Sequence, residues 1–195
     1  MRLLTKIVNY VRSLSSTFLG TILLCIAAIT FTVYLMNRHS HIEINLADQH
    51  LHLYNEYGQL CFECPISSGI GGIGSEENSA KTPTGNFIIA ERFGDGLPDF
   101  TIFKARRAVG NYPNAIPSDM NEDSDYILTR ILWLDGTDSH NANTKNRYIY
   151  IHGTNREDLL GSAVSHGCIR VSPENMITLF NSTDLNTTVL IFEKK

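Results

Sequence analysis

Hydrophobic residues follow two patterns along this chain. From Ser13 to Asn37 no charged side chain occurs, and Phe18–Met36 (FLGTILLCIAAITFTVYLM) is nearly continuous apolar sequence. At about 1.5 Å per residue a helix over that run is close to 30 Å long, the thickness of a bilayer's hydrocarbon core. Beyond residue 40 the apolar run gives way to alternation. His41–Leu46 and His50–Tyr54 place Ile42, Ile44 and Leu46, then Leu51 and Leu53, on single faces, with Ala47-Asp48-Gln49 as a hairpin turn between them. Tyr57-Gly58 turns the chain into a strand over Gln59–Ile66, and Thr84-Gly85 into another over Asn86–Ala90. Gly94–Asn146 reads as a long polar region broken by Pro98, Pro113 and Pro117, with one strand inside it, Tyr126–Leu134 (YILTRILWL). A further strand puts Tyr148, Tyr150 and His152 on one face and Ile149 and Ile151 on the other. Ser172-Pro173 is an N-cap followed by proline at the first helical position, opening a helix with Met176, Ile177, Leu179 and Phe180 on its core face. No internal repeat and no second core are evident. The expectation is one mainly β domain over residues 41–195 with short helices and insertions, behind an appendage over residues 1–40.

Charge separates the two parts. Arg2, Lys6, Arg12 and Arg38 are the only charges before residue 39, leaving 12 basic and 20 acidic side chains in the rest. A domain that acidic lacks the electrostatic footprint of nucleic-acid binding, so no nucleic-acid partner is expected. Three basic residues precede the apolar run and one closely follows it. The run is longer than a signal-peptide core and lacks a small-x-small cleavage site. It is therefore expected to be an uncleaved transmembrane helix over about residues 18–36. This makes the chain a single-pass protein of the bacterial inner membrane with its domain extracytoplasmic, or periplasmic.

The candidate chemistry begins with cysteines. Cys61-Phe62-Glu63-Cys64 has redox spacing, but Pro65 and Ile66-Ser67-Ser68-Gly69 behind it read as strand and turn, so a local disulfide or two structural thiols is preferred. Gly69, Gly71 and Gly74 form a G-x-G-x-x-G without the helix a phosphate loop needs, and read as a surface loop. Cys168 stands alone, with no obvious cysteine partner, in Ser165-His166-Gly167-Cys168. Sixteen residues upstream, His152 comes at a strand end before Gly153, expected to allow a sharp turn. Imidazoles, the nearby Arg170 and the N-terminus of the following helix all favour thiolate over thiol at Cys168. A thiolate, a proton-shuttling histidine and amides around the Gly-Cys turn suffice for acyl transfer. Zinc held by His152, His166 and Cys168 is the rival arrangement, without an evident fourth ligand.

His152-Gly153-Thr154 followed by Ser165-His166-Gly167-Cys168-Ile169-Arg170-Val171 closely resembles the active-site signature of the YkuD-type L,D-transpeptidases, bacterial cysteine enzymes of the cell wall. Lys81-Thr82-Pro83-Thr84-Gly85-Asn86-Phe87 resembles the family's TPxGxF segment, and the likeness extends over about residues 41–192. The resemblance implies a β-sandwich catalytic domain and acyl transfer on peptidoglycan tetrapeptide stems. Cys168 would be the nucleophile and His152 the base. Gly167 and Cys168 amides would form the oxyanion hole, with His166, Ser165 and Gly153 supporting the site. Arg170, Tyr150 and Thr154 would contact the stem peptide. Neither metal nor organic cofactor is implied. The acceptor is left open: another stem, a lipoprotein lysine, a free D-amino acid, or water, which would make the enzyme an L,D-carboxypeptidase or endopeptidase. Arg170 stands where many relatives have Asn, which bears on acceptor choice.

Overall fold

The structure, a computed structural model, describes residues 6, 18, 20–30, 39–120 and 124–194. Two units are present, Met1–Arg38 and His39–Lys195. In the first, residues 20–30 are helical. Most of the rest of the expected 18–36 span lies outside the described residues, and among the described residues no helix is long and apolar enough to cross a membrane.

The second unit is a mixed sheet of ten strands: β1 (His41–Asn45), β2 (His50–Tyr54), β3 (Leu60–Pro65), β4 (Gly85–Phe93), β5 (Thr101–Lys104), β6 (Arg107–Asn111), β7 (Ile127–Gly136), β8 (Tyr150–Gly153), β9 (Ile169–Val171) and β10 (Thr188–Phe192). Its main path runs β3-β2-β1-β10-β4-β7-β5-β6, and β8 and β9 branch from β7. The pairs β1–β10 and β8–β9 are parallel and the others antiparallel. The expected sandwich is thus one continuous mainly β sheet with few helices.

Alternation builds the core as read from the sequence. Ile42 and Ile44 of β1 and Leu51 and Leu53 of β2 are buried while their polar neighbours face outward. They join Phe87, Ile89, Leu132, Leu134, Ile151, Ile169, Val189 and Ile191 in the main cluster. Strand β7 is the branch point. Leu128 pairs with Ile102 of β5 and with Gly153 of β8, while residues 131–136 pair with β4. Thr129, at a φ of 74°, sits in the irregularity between these pairings. The helix Pro173–Asn181 starts where expected, with the Ser172 hydroxyl accepting from the Asn175 N–H at 3.2 Å. Met176, Leu179 and Phe180 are buried, but Ile177 is only half-buried.

Three strands depart from the sequence reading. β5 and β6 form a hairpin inside the supposed polar region, and β10 closes the sheet against β1 and β4. Tyr148 lies outside β8 with a φ of 57°, so it does not share the strand face of Tyr150 and His152.

Candidate active site

The parallel pair β8–β9 sets the site. His152 stands opposite Arg170, and Cys168 directly precedes β9. The half-buried thiol donates to the Tyr148 carbonyl at 3.3 Å and accepts the Tyr150 N–H at 3.4 Å. It packs against the cluster of Phe103, Ile131, Trp133 and Tyr150. The loop that carries it is braced at several points. The Ser165 hydroxyl donates to the Cys168 carbonyl at 2.6 Å and accepts the Gly167 N–H at 3.0 Å. The Thr82 hydroxyl donates to the Gly167 carbonyl at 3.0 Å and accepts from the Gly69 N–H at 2.8 Å. The TPTG segment and the Gly-rich segment are thereby tied to the cysteine loop. Gly167 has a φ of 120°, and a Cβ there would lie 3.0 Å from the Lys81 carbonyl oxygen, so glycine is required on both counts.

Electrostatics overturn the expected thiolate. Burial pushes the Cys168 thiol up to about 11, and the Tyr150 N–H and the cations Arg147 and Arg170 offset this only in part, with Asp125 adding to the rise. Desolvation outweighs the nearby positive charge because it acts on the whole ion, whereas the guanidinium of Arg170 is held by Asp125. His152 is buried at 4% exposure. Burial holds its imidazole below the usual histidine value, against the opposing effects of the Gly153 carbonyl and Asp125. Its Nδ1 lies 2.8 Å from the Gly153 carbonyl. That oxygen can only accept, so Nδ1 carries the proton and Nε2 keeps its lone pair. At neutral pH the resting pair is a neutral thiol and a neutral imidazole whose free nitrogen is a base. Gly153 serves close approach, not a turn: a Cβ would come within 2.8 Å of the Leu128 carbonyl oxygen across β7–β8.

Arg170 and Thr154, expected to touch substrate, face inward. Arg170 is 2% exposed and pairs with Asp125 at 2.6 Å and with the Ser67 hydroxyl at 2.7 Å, its Nε left unpartnered. The buried Thr154 hydroxyl donates to the other Asp125 oxygen at 2.8 Å. Together they hold Asp125, a residue the sequence reading missed, against β8 and β9. Arg170→Met is expected to destabilise the fold by about 3 kcal/mol, toward the low end for a broken buried pair because Asp125 is 29% exposed. Chemical denaturation measures this, and an unchanged midpoint would make the pair incidental.

The profile of the YkuD family, an L,D-transpeptidase catalytic domain, matches residues 39–191. The chain belongs to the YkuD family. It is 46% identical over 48 residues to the putative L,D-transpeptidase YqjB of Bacillus subtilis (strain 168), covering 25% of this chain and 27% of that one. Among solved structures, an L,D-transpeptidase from Xylanimonas cellulosilytica aligns with a TM-score of 0.51 at 21% identity, over 79% of this chain and 60% of that one. L,D-transpeptidase 3 from Mycobacterium tuberculosis, solved with a faropenem-derived adduct, aligns with a TM-score of 0.50 at 18% identity, over 79% of this chain and 60% of that one. The chain thus spans about a quarter of its curated relative and three-fifths of these structures, and the structural likeness concerns the fold.

Within this YkuD domain the signature residues divide by position. Tyr150 meets Cys168 at the thiol, and His152 lies two residues further along β8, opposite Arg170. Ser165 and Gly167 brace its loop, and the Gly167 N–H is already taken by Ser165. His166 is exposed and lines a cleft of about 260 Å³ with Glu77, Asn78, Asn146, Arg147 and Tyr148. Cys61 and Cys64 are free thiols, one exposed and one buried, so no disulfide joins them. Burial pushes Cys64 up to about 12, which is unsuited to redox chemistry. Among the described residues no cluster of three metal-ligating side chains occurs.

Proposed function

We propose that this YkuD domain is an L,D-transpeptidase acting on peptidoglycan tetrapeptide stems. The observation that carries the reading is the placement of two neutral groups on neighbouring elements: a half-buried thiol on a braced loop leading into β9, and on β8 a buried imidazole with Nδ1 occupied and Nε2 free. As the Cys168 sulfur attacks the carbonyl between the position-three diamino acid and the terminal D-Ala, His152 Nε2 takes the thiol proton. It then gives that proton to the departing D-Ala amine. With the Gly167 amide engaged by Ser165, the Cys168 amide is the loop's donor for the oxyanion. An amine resolves the thioester, and the cleft beside His166 offers room for that acceptor. Incubating the protein with disaccharide-tetrapeptide and analysing products by mass spectrometry tests the reading. A crosslinked dimer and a Cys168 acyl adduct are expected. Tripeptide alone would assign the enzyme to hydrolysis, and unchanged substrate would refute both.

The same reading places residues 1–40 as an inner-membrane anchor, from the Phe18–Met36 apolar run and its basic N-terminal flank. The catalytic domain would then lie on the extracytoplasmic side, where its substrate is. A topology reporter fused after Lys195 should be active only outside the cytoplasm, and activity inside would overturn the placement.

A further inference from the structure

The hairpin β5–β6 turns on Ala105 and Arg106, with φ values of 49° and 65°. A two-residue turn with both residues left-handed is the type that Asn-Gly makes readily. Here it is held by residues that disfavour it, and local strain of this kind gathers at functional positions. The turn lays the Arg106 guanidinium 4.6 Å from the centre of the Trp133 ring and 5.2 Å from that of Tyr148, while its Nη1 donates to the Tyr150 hydroxyl at 3.0 Å. Those two tyrosines are the ones whose backbones hold the reacting sulfur, Tyr148 through its carbonyl and Tyr150 through its N–H. Arg106 therefore rests on side chains directly attached to the thiol's hydrogen-bond partners.

One of its five N–H groups is engaged, and among the described residues no carboxylate pairs with it. Its neighbour Lys145, also over Trp133, is already paired with Glu91 at 2.9 Å. Glu91 acts on Arg106 only at a distance, and a cation without an ion pair of its own is notable in a domain where acids outnumber bases 20 to 12. Stacking on aromatic faces leaves a guanidinium's edge available, and that edge fits a carboxylate through two parallel hydrogen bonds.

We propose that Arg106 is a specificity-determining residue that receives a carboxylate of the acyl donor and so positions the scissile carbonyl at Cys168. The proposal rests on the transpeptidase reading. The carboxylate has two possible sources: the side-chain carboxylate of a dicarboxylic diamino acid at position three, or the terminal carboxylate of the leaving D-residue.

The test uses the full chain and three tetrapeptides: one carrying both carboxylates, one amidated on the position-three side chain, and one amidated at its C-terminus. The diacid should acylate Cys168 at least tenfold faster, in kcat/KM, than one of the two amides, and that amide identifies the carboxylate read. In Arg106→Gly the difference should vanish, chiefly through KM. Glycine suits the left-handed turn and offsets the lost contacts, and a cooperative melting transition in the variant excludes misfolding as the cause of the loss. Arg106→Lys, with charge but no planar fork, should recover part of the preference. Equal rates for all donors in the unsubstituted protein, or an undiminished preference in Arg106→Gly, would overturn the proposal. Trp133 is the chain's one tryptophan, and its emission should respond to donor binding in proportion to the same carboxylate and only while Arg106 is present. If no donor acylates the protein, the transpeptidase reading fails. The fluorescence titration still decides the carboxylate site, a response that ignores amidation or survives Arg106→Gly refuting it.

Discussion

Cys168→Ala is expected to remove turnover and covalent acylation completely, leaving the fold in place. Neither other thiol of this domain can substitute, since Cys64 is buried in the core and Cys61 is an exposed residue of β3, a strand that pairs with β2 and not with β8 or β9, while Cys25 belongs to the Met1–Arg38 unit. Intact-mass analysis after exposure to tetrapeptide or a carbapenem checks this, and an adduct persisting in Cys168→Ala would overturn the nucleophile. The same variant should change alkaline stability. The native thiol is pushed up to about 11, above its ordinary value of 9, so the unfolded chain loses this proton first. The native state binds more protons across that interval, and stability is lost as pH rises from about 9 toward 11. Cys168→Ala should flatten part of that decline in denaturation midpoints, leaving the part due to Cys64, which is pushed up to about 12.

His152→Ala should slow Cys168 acylation by about 10²–10⁴-fold at neutral pH, the usual worth of a positioned general base. The pH profile distinguishes a base from a merely structural histidine. Burial holds the imidazole below its ordinary 6.5, so in the unsubstituted enzyme the acid limb should lie below that value and the rate should level off by neutrality. In His152→Ala no base remains and the rate should follow the thiolate fraction, climbing steadily toward about pH 11. Stopped-flow acylation across pH measures both limbs. A variant whose profile keeps the original plateau would exclude His152 as the base, leaving His166 as the candidate.

The first two strands, the long β7 and the start of the helix were legible because each is a local signal. Alternation at Ile42/Ile44 and Leu51/Leu53 needs only a strand with one face in a core, and Ser172-Pro173 needs only the first turn of a helix. The β5–β6 hairpin escaped because its turn is Ala-Arg. Without glycine or asparagine, the left-handed turn has no mark in the sequence and is held by what Arg106 touches. β10 escaped because its identity as a strand depends on partners about 100 and 150 residues away.

The sequence by itself determined the family and singled out Cys168 and His152 as the proposed nucleophile and base, because motif residues must recur at set spacing for the backbone to present them together. The tertiary structure decided their protonation and the jobs of their neighbours. Thiolate was inferred from adjacent positive charge, but burial depends on Phe103, Ile131 and Trp133 arriving from distant strands, and it leaves the thiol neutral. Arg170 and Thr154 were read as substrate contacts from their place beside the cysteine and histidine. Only the fold brings Asp125 and Ser67 to them and turns both inward. Side-chain identity is local, whereas desolvation and ion pairing are set by whatever the rest of the chain packs around the group.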